Sequence, residues 1–185
     1  MKSSPLRLVI ADDHPAVLSA VKSLLADVPD WTVVGTANDA RQMVSLLGKR
    51  QRTCDVLVTD YLMPCDGYED GTAMLHSVRQ RCPDLNIVVL TMLNDPDIVR
   101  NLLQIGLSCI VSKSDDLTHV IAAVHAAANG ERYVSPALAM MVTVLEESDY
   151  HHPRIPSRSR IQEEIRRRSV AQADSETSET CAGQG

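Results

Sequence analysis

The stretch Leu6-Arg7-Leu8-Val9-Ile10-Ala11-Asp12-Asp13-His14-Pro15 sets a short apolar run directly against two adjacent carboxylates. A second run, Val56-Leu57-Val58-Thr59, ends in a third acid, Asp60. Near-continuous Val, Ile and Leu suit strands covered on both faces, as in a parallel sheet. Parallel strands would bring the three acids to one crevice beyond their C-terminal ends. So much negative charge is tolerable there only beside a divalent cation. The reading is a site for magnesium-assisted phosphoryl chemistry.

Outward from that stretch, apolar runs alternate with segments of helical spacing. Strands are predicted at Leu6 to Ala11, Thr32 to Thr36, Val56 to Thr59, Ile87 to Leu90 and Cys109 to Val111. Helices are predicted at Ala16 to Ala26, Arg41 to Lys49, Gly71 to Arg81, Asp97 to Gly106 and Leu117 to Asn129. Pro15 suits a first helical turn, and Gly106 and Gly130 suit C-terminal caps. Right-handed crossovers then give an α/β fold, a flavodoxin-like doubly wound five-stranded parallel sheet of order 2-1-3-4-5. Its switch point falls between the first and third strands, which carry the acids. Pro136 to Glu147 reads as a short amphipathic helix.

Composition narrows the classes. Of 185 residues, 44% are hydrophobic and 23% charged, ordinary for a globular chain, but phenylalanine is absent and aromatics total 3%. The core must therefore be aliphatic, and a base-stacking platform for nucleic acid is excluded. Residues 1–150 carry a net charge of −7 against +1 for the remainder, so the front domain repels nucleic acid. Five cysteines (54, 65, 82, 109 and 181) form no CxxC pair and no apolar export segment leads the chain, pointing to the cytoplasm. The uncharged stretches are too short to span a bilayer, so no membrane partner is expected. Residues 151–185, Arg-rich and then Ser/Thr/Glu-rich, hold too few apolar side chains to offset ordering entropy and read as a disordered tail.

Two more polar residues close strands at the same sheet edge: Thr91 after Ile87 to Leu90, and Lys113 just after Cys109 to Val111. Together, Asp12-Asp13, Asp60-Tyr61-Leu62-Met63-Pro64, Thr91-Met92 and Ser112-Lys113-Ser114 resemble the receiver domain of bacterial two-component response regulators. The Ile10 to Pro15 segment, the expanded loop Met63 to Gly71 and Val89 to Met92 resemble the Rcs-type capsule-synthesis regulators of the nitrate-regulator-like class.

That resemblance implies a receiver domain over 1–132, a linker helix over 133–150 and, over 151–185, no recognisable output domain, the class's C-terminal helix-turn-helix being missing. It implies Asp60 as the phosphoryl acceptor, with Thr91 and Lys113 contacting the transferred group. Mg2+ is the implied cofactor, held by Asp12, Asp13, Asp60 and the carbonyl of Leu62. The implied partners are a sensor histidine kinase or histidine phosphotransfer protein, and a second regulator as homodimer or heterodimer. DNA is not expected for this chain alone.

Two positions depart from the superfamily pattern: Ile110 stands where an aromatic switch residue is frequent, and bulky Met92 follows Thr91. Bland readings are preferred to sharp ones at two places: His14 as a partly exposed histidine at a helix start rather than a metal ligand, and Asp66, Glu69 and Asp70 as a solvated acidic loop rather than a second cation site. A stand-alone receiver acting as adaptor or phosphate sink is a second functional reading. A phosphatase of the haloacid dehalogenase type is weaker, because its general acid would stand at Leu62. The tail also fits a truncated or frame-shifted two-domain regulator.

Overall fold

The computed structural model describes residues 4–50, 54–93 and 95–141. Six strands and five helices alternate along it: β1 Leu6–Ala11, α1 Pro15–Ala26, β2 Trp31–Ala37, α2 Ala40–Arg50, β3 Val56–Asp60, α3 Gly71–Arg81, β4 Asn86–Thr91, α4 Pro96–Gln104, β5 Cys109–Ser112, α5 Thr118–Asn129 and β6 Tyr133–Val134. All strand pairs are parallel, in the order β2-β1-β3-β4-β5-β6. The expected doubly wound sheet is present, with one strand more than predicted.

Successive strand residues face opposite sides, and here both sides are covered. Val9, Ala11, Leu57, Val89 and Ile110 pack with Met43 and Leu47 of α2, Leu75 of α3 and Leu102 of α4. Leu8, Ile10, Val58, Val88 and Val111 pack on the other face with Val21 and Leu25 of α1 and Val124 of α5. This two-sided burial is why β1, β3 and β4 read as continuous apolar runs. Each fully buried Leu, Ile or Val contributes roughly 1.5–3 kcal/mol against exposure, so aliphatic packing alone holds the sheet, Tyr61 being the aromatic in the buried core.

Helix ends follow local chemistry. Pro15 occupies the first turn of α1, where its missing N–H costs nothing. Asp70 caps α3, its Oδ1 accepting from the backbone N–H of Gly71 at 2.7 Å and of Met63 at 3.0 Å, which closes the loop between β3 and α3. Gly130 caps α5 in the left-handed region at φ 72°.

The sixth strand is the main difference from expectation. Tyr133 and Val134, placed by sequence in a linker helix, pair with Cys109 and Ile110 of β5. Two residues carry no readable alternation; the open edge of β5 decides their conformation. Pairing continues as Ser135 N–H donates to the Ile110 carbonyl at 3.0 Å and Ser112 N–H donates to Ser135 Oγ at 2.8 Å. Residues 136–141 are then helical, and Leu138 is fully buried in the core. The later part of the helix expected over Pro136 to Glu147, and the tail over 151–185, lie outside the described residues.

Candidate functional site

Strand register delivers the site. Asp60, the last residue of β3, pairs with Leu90, and Thr91, the last of β4, pairs with Ser112. Backbone bonds extend this past the strand ends: Asp12 N–H donates to Ala37 at 3.1 Å, Tyr61 N–H to Leu90 at 2.8 Å and Lys113 N–H to Thr91 at 2.8 Å. Asp12, Asp60, Thr91 and Lys113 thereby reach one rim of the sheet, and Asp12, Asp60 and Thr91 are buried.

At the centre of this rim, Lys113 Nζ lies 2.7 Å from Asp12 Oδ2 and 2.7 Å from Asp60 Oδ2, with only 5% of its side chain exposed. Burial raises the Asp60 carboxyl above the ordinary carboxylate range, against the opposing pull of Lys113. Burial works against the Lys113 ammonium, but its hydrogen bonds to Asp12 and Asp60 outweigh it and hold the ammonium's pKa above the usual lysine value. Thr91 Oγ1 accepts from the Leu93 N–H at 3.0 Å, which orients the hydroxyl at the strand end.

The acids exceed the local positive charge. Asp12, Asp13, His14 and Asp60 each present one ligand atom, all within 4.8 Å of one another. Like charges about 4 Å apart repel by about 4 kcal/mol at an effective dielectric near 20, so one ammonium among three carboxylates leaves the group under-neutralised. Among the described residues the close contacts of Asp12 Oδ2 and Asp13 Oδ1 are the ion pairs to Lys113 and His14, each at 2.7 Å. Hard carboxylate oxygens with open lone pairs are the donors that Mg2+ prefers. The residues fit the ion, with Asp12, Asp13 and Asp60 as the groups to hold it.

Of the residues named from sequence, Asp12, Asp13 and Asp60 come together, Lys113 bridges two of them, and Thr91 ends the adjacent strand. Leu62 enters differently: its backbone N–H donates to the Asp60 carboxylate, while its side chain is partly exposed. His14, read as an exposed histidine at a helix start, is that and more: it is the N-cap of α1, and its Nδ1 lies 2.7 Å from Asp13 Oδ1. The pairing was not legible because adjacency in sequence does not fix which way an imidazole turns.

The two departures also resolve. Ile110 is fully buried in the core cluster that also holds residues of α4 and Leu138, and an aliphatic side chain there offers no ring to swing inward. Met92 is 64% exposed beside the site rather than folded over it. Cys54 and Cys109 are buried, and burial pushes the Cys54 thiol up to about 11, which makes it inert; Cys65 and Cys82 are half-buried, and Cys181 lies outside the described residues.

A family model described as the response regulator receiver domain matches residues 8–125. The chain belongs to the response regulator receiver family. Among its relatives, this receiver is 30% identical over 150 residues to the transcriptional regulatory protein RcsB of Escherichia coli K12, covering 81% of this chain and 68% of that one. The response regulator GacA of Pseudomonas viridiflava is 30% identical over 139 residues, covering 75% and 63%. The isolated receiver domain of RcsB from Salmonella enterica serovar Typhimurium, solved with the phosphomimetic BeF3−, superposes with a TM-score of 0.70 at 31% identity, covering 75% of this chain and 99% of that one. An RcsB–DNA complex superposes with a TM-score of 0.71 at 29% identity, covering 80% and 72%. Receivers of this kind serve two-component signalling, and the helix-turn-helix of the intact class lies outside the family match. Among the described residues no helix is long and apolar enough to cross a membrane.

Proposed function

We propose that this chain is a phosphorylation-dependent response regulator of an RcsB-like phosphorelay, taking a phosphoryl group on Asp60. The observation that supports it most is the buried Lys113 ammonium 2.7 Å from a carboxylate oxygen of both Asp12 and Asp60. A carboxylate so placed is a nucleophile held inside a pre-formed electrostatic cradle.

In the proposed reaction an oxygen of Asp60 attacks phosphorus, the P–N bond of a phosphohistidine donor breaks, and the imidazole leaves with the electron pair. Mg2+, held by Asp12, Asp13, Asp60 and the Leu62 carbonyl, would supply charge neutralisation for the phosphoryl oxygens. Lys113 exchanges its contact with Asp60 for one phosphoryl oxygen, and the Thr91 hydroxyl leaves Leu93 N–H to donate to another. Those two movements act on the ends of β4 and β5, so the modification biases an element with two arrangements. Water attack on the same phosphorus returns Asp60.

The donor is a sensor histidine kinase or a histidine phosphotransfer protein in the cytoplasm, and a dimer with itself or another regulator is the output form. RcsB has been solved on DNA; for this chain alone we propose no base reading, consistent with a front domain of net charge −7. Control of transcription then requires a reading helix outside the receiver. The phosphatase alternative has no general acid at Leu62.

Acetyl phosphate labelling in millimolar Mg2+, read by intact mass, tests the proposal. The parent gains one phosphoryl group that is lost in EDTA-free buffer over time, and Asp60→Asn gains none. Equal labelling of Asp60→Asn, or no labelling and no BeF3− binding by the folded parent, overturns it.

A further inference from the structure

The His14 imidazole sits in the acid cluster, paired with Asp13. It is the N-cap residue of α1, yet its side chain makes no capping hydrogen bond. Its backbone N–H is held by Asp12 Oδ1 at 2.9 Å, which fixes the residue beside the pocket. Its Nδ1 lies 2.7 Å from Asp13 Oδ1 and 3.6 Å from Asp12 Oδ1, and 67% of its side chain is exposed, so the ring is open to an entering ion.

These separations are near those of a shared coordination shell, the outer limit of the group being slightly wider than one ion allows. Metal–ligand bonds of about 2.1 Å place neighbouring octahedral ligands about 3.0 Å apart and opposite ones about 4.2 Å apart. The ligand atoms of Asp12, Asp13, His14 and Asp60 all fall within 4.8 Å of one another, so small shifts bring all four onto one ion. A pocket of carboxylates alone favours hard Mg2+, whereas an imidazole nitrogen gains affinity for first-row transition ions and gives Mg2+ little.

We propose that His14, turned to the tautomer that carries its proton on Nε2, is a direct metal ligand through Nδ1, and that it shifts the preference of this receiver from Mg2+ toward Mn2+ and its heavier neighbours. The inference rests on Asp12, Asp13 and Asp60 forming a cation pocket. It adds a nitrogen donor to an oxygen site, and with it a sensitivity to which divalent ion is abundant.

The test uses the full chain with MnCl2 at one fixed pH. Mn2+ affinity is read from loss of the free-ion electron paramagnetic resonance signal, Mg2+ affinity by competition, and coordinated nitrogen by spin-echo envelope modulation. The parent shows modulation from one directly bound 14N. His14→Gln and His14→Ala lose it, bind Mn2+ roughly tenfold more weakly and keep Mg2+ affinity within about twofold. Both substitutions fall on an exposed side chain, and circular dichroism checks that the variants stay folded.

Absence of 14N modulation in the parent, or an unchanged Mn2+ to Mg2+ ratio in the variants, overturns the role of His14 while leaving the oxygen pocket standing. In that case the ring only donates a hydrogen bond that orients Asp13. No metal binding by the parent, with Asp13→Asn indistinguishable from it, overturns the pocket and the inference together; failure of Mg2+-dependent labelling at Asp60 marks that case.

Discussion

Lys113 neutralises two carboxylates that the fold has withdrawn from water, and its removal isolates them. Breaking one side of a buried ionic arrangement costs about 3 kcal/mol, so Lys113→Ala should lower the urea midpoint clearly at neutral pH in EDTA. Millimolar Mg2+ should recover more stability in the variant than in the parent, because a divalent ion replaces the missing positive charge. The Asp60 carboxyl is raised above its unfolded value by burial, so its penalty is present when ionised and is relieved as pH falls. The deficit of Lys113→Ala should therefore shrink toward pH 4, and a deficit independent of both Mg2+ and pH would contradict this account. Gly71 makes a second prediction at this scale. It sits at φ 59°, and a Cβ there would stand 3.1 Å from Tyr61 Oη and 3.2 Å from Cζ. Gly71→Ala should cost about 1–2 kcal/mol by urea denaturation, and because Tyr61 adjoins Asp60 it should also slow labelling by acetyl phosphate.

Among elements, β1 and β3 are fastened at their N-terminal ends by Arg7 and Asp55. The Arg7 backbone N–H and Nε donate to Asp55 Oδ2 at 2.8 and 3.0 Å, and Nη2 donates to Oδ1 at 2.8 Å. The guanidinium holds the Asp55 carboxyl below the usual range. A depressed folded pKa contributes stability above the unfolded value and loses it as pH falls through the folded one. Asp55→Asn should thus lower the melting temperature at pH 7, with the gap from the parent closing below about pH 4; a gap that persists at pH 3 would show that lost packing, not charge, is responsible. The elements were readable in sequence to different degrees. β1, β3 and β4 announce themselves because both faces are buried, and Pro15 and Gly130 mark helix ends through backbone constraints that no partner alters. β6 is silent, since Tyr133 and Val134 are strand only because β5 has an open edge. The acids, Thr91 and Lys113 were placed by strand ends alone, whereas the Leu62 N–H and the His14 ring depend on loop and rotamer geometry that residue order does not carry.

For the molecule as a whole, an aliphatic core packed on both sides of one sheet leaves few places where the fold depends on a single side chain, and Leu138 is one. It is fully buried beyond the last strand, in the cluster that contains Ile110 and Val99. Leu138→Ala should destabilise the domain by about 2–5 kcal/mol in chemical denaturation, and a loss under 1 kcal/mol would mean that residues after Ser135 contribute nothing to the core. Sequence read Pro136 to Glu147 as an amphipathic helix, and 136–141 are helical with Leu138 buried; what it did not carry is which core that apolar face joins, since a linker helix has the same pattern. The family and the sheet order needed no such detail: five polar residues at the ends of four apolar runs sufficed.

The chain's exit path runs beside β5, stitched by Ser135 N–H to Ile110 and by Ser112 N–H to Ser135 Oγ. Ser112 precedes Lys113, which relocates in the proposed modification of Asp60, so under that proposal a chemical event at the rim is felt along the chain's exit path. A fluorescent reporter placed beyond residue 141 would therefore register the proposed modification of Asp60 through this stitch.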